Sequence, residues 1–190
     1  MKPSDLVTEP QIQRIIDLEW PMFHSVKASE PAACQEEEGT FRLMRWMSHS
    51  VLPPEVLDPM EAQLVEATAQ GRNLMTEKYA RMAGQIPPLR DTPLIGEIVA
   101  VEADWMLAVN RRYPLTFTGR GDQFSTYMAA DLETYSDATL LQYHAFMRSA
   151  QAEGRNLVEE RYTNLFQRMG WRDIEASEAQ TRMQKFKCCQ

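Results

Sequence analysis

Most features that announce a function are missing from this chain. Cysteine is scarce: of three in 190 residues, Cys34 stands alone and Cys188 and Cys189 are adjacent near the end. That excludes a disulfide framework, and neighbouring cysteines without histidines nearby make poor metal ligands. Apolar runs are short, none reaching the roughly 18 residues that a membrane-spanning helix needs. The opening Met-Lys-Pro-Ser-Asp leads into a polar segment instead of the apolar stretch of a signal peptide. A cytoplasmic, reducing setting is therefore expected. Positive charge is in deficit, with a net charge of −7 and a pI near 5.1, which argues against a general nucleic-acid or anionic-membrane surface. No glycine-rich phosphate loop, Ser–His–Asp arrangement or zinc-ligand spacing occurs. Strand signals are confined to the run Leu115-Thr116-Phe117-Thr118.

What remains is the composition of a soluble globular protein, 44% hydrophobic and 25% charged, long enough for one domain with a sizeable core. Twelve methionines suit an adaptable core. The periodicity is helical nearly throughout. Thr8-Glu9-Pro10-Gln11 has the form of a capping box, and Ile12, Ile15, Ile16, Glu19, Met22, Phe23 and Val26 follow with a period near 3.6. Pro21 is expected to kink or end this helix. After a loop over 28–40, a second helix spans about Phe41 to His49. Asp58-Pro59-Met60-Glu61 then reads as the start of a third, with Pro59 at its first position, continuing to about Met82.

The plan is then repeated. A shift of 83 residues, the interval from Gly71 to Gly154, lays Ile15 on Ile98, Glu19 on Glu102, Val26 on Val109, Pro31 on Pro114 and Phe41 on Phe124. It carries Gly71-Arg72-Asn73-Leu74 onto Gly154-Arg155-Asn156-Leu157, Glu77 onto Glu160 and Tyr79 onto Tyr162. About 14 identities over about 65 pairs, where chance gives roughly four, mark an internal repeat whose units pack on one another. In the second copy a helix covers about 93–111, another begins near Phe124, and Ser136-Asp137 caps a long one ending near Gly170. The expected architecture is all-α: a tandem pseudo-twofold repeat of two three-helix units packed as one domain. Unit 1 spans about 10–84, unit 2 about 93–170, and a helical appendage takes 172–190.

Certain residues stand out against this frame. Gly71 and Gly154 fall within the long helices, where glycine costs about 1 kcal/mol relative to alanine, so a close crossing of those helices is expected there. Glu19 and Glu102 lie among apolar residues and must find an arginine, a metal or a proton. Together with Glu77 and Glu160 they place four glutamates on four helices, the pattern of a di-metal carboxylate bundle, but without the usual Glu-x-x-His. Glu–Arg pairing through the repeated Arg72 and Arg155 is the simpler expectation. Cys34, with Arg42 and Arg45 close in sequence, is either an activated thiol or an inert small residue. Tyr79, Tyr127, Tyr135 and Tyr162 could line a pocket or pack with hydrogen-bonded tips.

These motifs resemble the domain of unknown function 4125 family of bacteria. In the first half the resemblance is carried by Leu18-Glu19-Trp20, Met22-Phe23, Val26, Ala33-Cys34-Gln35, Phe41, Met44-Arg45 and Gly71-Arg72-Asn73-Leu74 through Lys78-Tyr79. In the second it rests on Ile98 to Glu102, Tyr113-Pro114, Glu133-Thr134-Tyr135-Ser136 and Met169-Gly170-Trp171. It covers about 10–171 and implies motif positions at Glu19, Trp20, Cys34, Gln35, Arg45, Asn73, Tyr79, Glu102 and Tyr135. It implies no activity or cofactor, because none is established for the family. The chain departs from the family in the loop before the cysteine, Lys27-Ala28-Ser29-Glu30-Pro31, and before Glu133.

The functional expectation is a small-molecule site between the two units. Glu19 and Glu102 would act as acid–base or orienting groups, Arg45 as an anion clamp and Cys34 as nucleophile or pocket wall. Trp20, Gln35, Tyr79, Tyr135 and Tyr162 would contact the ligand. The motive is broken symmetry: Cys34, Gln35 and Arg45 fall on Phe117, Thr118 and Met128. A metal-carboxylate redox protein and a non-catalytic binding module are the alternatives.

Overall fold

In a computed structural model, residues 3–26, 37–117 and 123–187 are described. Among them every regular element is a helix: α1 Pro3–His24, α2 Glu38–His49, α3 Pro54–Ala69, α4 Leu74–Met82, α5 Pro93–Arg112, α6 Phe124–Glu133, α7 Asp137–Ala152, α8 Leu157–Arg168 and α9 Ile174–Lys187. None is long and apolar enough to cross a membrane. The run at Leu115-Thr116 is not a strand; Glu178 of α9 accepts hydrogen bonds from both backbone N–H groups and from the Thr116 hydroxyl.

The largest difference from the expected elements lies in the two long helices, each of which is a pair. Gly71 and Gly154 adopt φ of +68° and +69°, the left-handed conformation that glycine enters without steric cost. Each ends its helix in a Schellman motif. Arg72 N–H reaches the Ala67 carbonyl at 2.8 Å and Gly71 N–H that of Thr68 at 3.1 Å, and Arg155 and Gly154 repeat the arrangement on Ala150 and Gln151. Nothing lies within 4 Å of a Cβ added at either glycine, so the expected close crossing is absent. Two residues on, Asn73 and Asn156 cap α4 and α8 by accepting from the N–H of Thr76 and Glu159. Where three helices were expected over 10–84 and again over 93–170, the structure has four in each stretch, α1 to α4 and α5 to α8.

Other boundaries also moved. Helix α1 begins ahead of Thr8 and runs through Pro21, which sits on its exposed face, so the bond it forfeits faces solvent. Helix α3 begins at Pro54, and Asp58, read as its cap, instead accepts from Gln11 at 2.7 Å. Ser136 does cap α7, accepting from Thr139 N–H.

Helix α1 packs on α2, α3 and α4, and α5 packs on α6, α7 and α8; across them α2 meets α8, α4 meets α6 and α3 meets α7. Particular contacts recur at the 83-residue interval. Asn73 Nδ2 donates to the Met22 carbonyl and Asn156 Nδ2 to that of Trp105. Arg81 pairs with Glu133, and Asn164 bonds Ser50. Arg14–Glu61 reappears with exchanged polarity as Glu97–His144. The packing pattern suggests internal symmetry. The main apolar core runs from Ile12 to Met147, and a smaller cluster joins Met106, Val109, Tyr113, Phe117, Val158 and Ile174.

Candidate functional site

Four helices bring charged side chains inward. Glu19 shares the buried face of α1 with Ile15, Ile16, Met22 and Phe23. On α2, Phe41, Arg45 and His49 recur every four residues, so the spacing that buries the phenylalanine buries the other two. Lys78 follows Leu74 and Met75 into the interior from α4 and is 1% exposed. Asp131 enters from α6, four residues after Tyr127 and four before Tyr135.

These side chains meet in one network. Arg45 grips Glu19 with two guanidinium nitrogens, its Nε lying 2.8 Å from Oε2. Its Nη1 reaches Asp131 Oδ2 at 3.3 Å, a long contact, while Lys78 Nζ lies 2.8 Å from Asp131 Oδ1. His49 Nε2 stands 3.4 Å from Glu19 Oε2, and its buried Nδ1 has no hydrogen-bond partner among the described residues. The Lys78 ammonium also sits 3.7 Å from the centre of the Tyr127 ring. Tyr135 directs its hydroxyl at Asp131 from 3.4 Å. Two acids and two bases leave the ion network close to neutral. A cavity of about 20 Å³ lies against Glu19, Arg45, Lys78, Asp131 and Tyr135, room for about one water.

Burial raises carboxyl pKa values, but the neighbouring cations prevail here. Burial pushes Glu19 up, and Arg45 followed by His49 outweighs it and brings the carboxyl down to about 2. Asp131 is pushed up by burial too, yet Lys78 and Arg45 hold it well below the usual carboxylate range. Lys78 moves the other way: burial lowers it, Arg45 adds to that, and Asp131 only partly compensates. Burial first, then Asp131, lift the Tyr135 hydroxyl well above its ordinary value.

The equivalent place in the second half is built differently. Glu102, wholly buried, takes two 2.7 Å hydrogen bonds from Arg161 and one of 2.6 Å from the Tyr143 hydroxyl. At the 83-residue interval Arg161 corresponds to Lys78, while Arg45, His49 and Asp131 correspond to Met128, Leu132 and Ser48. One glutamate is therefore held by a single arginine and a phenol. The other sits in a network with three further ionisable groups that have no counterpart.

The structure thus brings Glu19, Arg45 and Tyr135 to one cavity. Glu102 lies in its own cluster and does not line that cavity. Trp20 belongs to an aromatic group with Phe41, ring centres 5.4 Å apart, and with His24 at 5.3 Å. Tyr79 packs on Phe23 and meets the network through its hydrogen bond to Tyr127 and through the Lys78 ammonium, 5.8 Å from its ring centre. Tyr162 meets Phe117 edge to face at 4.7 Å, in the smaller core. Cys34 and Gln35 lie outside the described residues. The four glutamates do not converge: Glu77 and Glu160 form local pairs with Arg72 and Arg155 at the surface. No group of three or more His, Cys, Asp or Glu among the described residues could hold a metal ion.

His49, Lys78 and Asp131 were missed. The signal was available, because Lys78 and Arg161 are both basic at matched positions, and His49 and Asp131 become the non-ionisable Leu132 and Ser48 under the shift that turns Arg45 into Met128. No curated protein and no solved structure matches the chain. A family model described as Protein of unknown function (DUF4125) matches residues 9–179, most of the chain, and the chain belongs to that family.

Proposed function

We propose that the chain is a pseudo-twofold repeat that binds a small carboxylate-bearing molecule where its halves meet, with Arg45 and Lys78 as the recognition groups. The observation that carries this reading is the contrast between Glu19 and Glu102. Glu102, with Arg161 and Tyr143, is what a purely structural solution looks like at this point in the fold. Its counterpart holds Arg45, His49 and Asp131 besides. Burying extra charges exacts a desolvation cost that well-packed apolar residues would avoid, so stability alone does not account for them. Asp131, at 13% side-chain exposure the outermost of the four charged groups, already bridges Arg45 and Lys78 with a carboxylate. A ligand carboxylate that displaces the Asp131 side chain would take the same two cations, since the cavity beside them has room for only about one water. Glu19 then orients the guanidinium from its far side.

The cysteine usage favours a reducing, cytoplasmic setting. A nucleophilic role for Cys34 belongs to the same proposal and rests on the sequence alone. Alkylation of Cys34 against pH tests it: a thiol titrating near the free value of about 8.5 contradicts it. The binding reading is tested by native mass spectrometry of protein purified without denaturant, followed by thermal shift with a panel of mono- and dicarboxylates. A co-purified acid, or a panel member that raises the melting temperature, is expected. Failure of every carboxylate in both measurements would overturn it.

A further inference from the structure

A second hollow is lined by residues of α4, α5 and α6. It is an open groove of about 360 Å³, within the range of small-molecule clefts. It is lined by buried Ala130, half-buried Met82, Val99 and Ala129, exposed Ser125 and Thr126, and the Arg81–Glu133 ion pair. The positions matched to Val99, Ala129 and Ala130 at the 83-residue interval carry larger side chains. Ala129 corresponds to Trp46, Ala130 to Met47, Val99 to Ile16 and Met82 to Leu165. The indole of Trp46 packs against the main core, donates from Nε1 to Glu9 at 2.6 Å and carries the Arg168 guanidinium 4.0 Å from its ring centre. Burial follows the ring: Ile16 and Leu165 are buried, whereas Val99 and Met82 are only half-buried. The groove is thus the space that an alanine leaves where the other half places a tryptophan.

From this we infer that the groove beside Ala129 is a binding site for a planar aromatic ring of indole size, with Trp46 as its internal stand-in. Small alanine side chains accept a flat ring face, and apolar surface at Val99 and Met82 gains by being covered. Arg81, which stays paired with Glu133, brings a guanidinium to the groove, the kind of group that Arg168 sets over the Trp46 ring. The exposed Thr126 offers a hydroxyl to a ring N–H. The inference does not depend on the Arg45 network being a ligand site, since the two cavities share no lining residue.

Indole itself is the probe, and ligand-observed saturation-transfer NMR on the full chain is the readout. Binding at millimolar indole is expected for the wild type, with affinity weakened at least about tenfold in Ala129→Trp, which fills the groove with the residue used in the other half. Thr126→Tyr, at an exposed position, obstructs the same groove and decides the matter if Ala129→Trp does not fold. Trp46→Ala should open a second groove of the same kind, so that indole raises that variant's melting temperature by more than the wild type's. No binding by the wild type, binding that persists undiminished in the folded groove variants, or no additional rise for Trp46→Ala would each overturn the inference.

Discussion

Arg45 is the main partner of Glu19, so its loss leaves that carboxylate with only His49 at 3.4 Å, while Asp131 keeps Lys78 at 2.8 Å. Removing one member of a buried pair is strongly destabilising, because the charge left behind loses its principal counterion without regaining water. Arg45→Met is therefore expected to lower unfolding free energy by about 3–5 kcal/mol, read from urea denaturation. Adding Glu19→Gln should recover part of that loss, since the orphaned charge is then gone. Glu19 also fixes an acid limb. Its folded pKa of about 2 lies below the ordinary glutamate value, so its contribution is complete above that value. It disappears as pH falls from about 4.5 towards 2, where the unfolded chain binds the proton first. Glu19→Gln should flatten this part of the stability–pH curve, and an unchanged acid limb would mean that Glu19 is not held by Arg45. Glu19 was legible as a charge set in an apolar helical face, and Arg45 as a position that becomes Met128 under the shift. The same shift marks Lys78 and Asp131, but their pairing across 53 positions depends on how α4 crosses α6, which no local pattern records.

At the scale of the helix, apolar periodicity hid a break. Leu64, Ala67 and Leu74 stay on the core side across the joint, so the pattern reads as one long helix through Gly71. What ends α3 is one residue at φ +68°, with its carbonyls satisfied by the Schellman bonds and the next helix restarted by Asn73. Gly71→Ala and Gly154→Ala should each cost about 1–2 kcal/mol despite the open space around them, because the strain is in the backbone. A gain in stability for either would restore the continuous helix expected from the pattern. Asn73→Ala and Asn156→Ala lose a cap worth about 0.5–2 kcal/mol, and also the bond that ties each turn to α1 or α5. Thermal denaturation should show losses at both sites, the larger at Asn73, which adds a 2.9 Å hydrogen bond to Ser25 to the pair of contacts that both make. The alanine pair Ala129-Ala130 had no such signal. An alanine on a helix reads as ordinary, and only its match with Trp46-Met47 shows that bulk has been withdrawn.

Across the whole molecule, repetition and departure from it divide the residues into two kinds. Matched contacts such as Asn73–Met22 with Asn156–Trp105 and Arg72–Glu77 with Arg155–Glu160 support the same helical joints twice. Unmatched positions gather around α6, where Asp131, Met128 and Ala129 each depart from α2. The most direct test converts the network to the form found around Glu102 by combining Arg45→Met, His49→Leu, Met60→Tyr, Lys78→Arg and Asp131→Ser, each taken from the matched position. The melting temperature of this variant is the measurement, compared with the wild type in the absence of ligand. If the extra charges serve binding, the variant melts at or above the wild-type temperature and no longer responds to the carboxylate that stabilises the wild type. A folded variant that melts far below the wild type would show instead that Arg45, His49, Lys78 and Asp131 are there to hold the halves together.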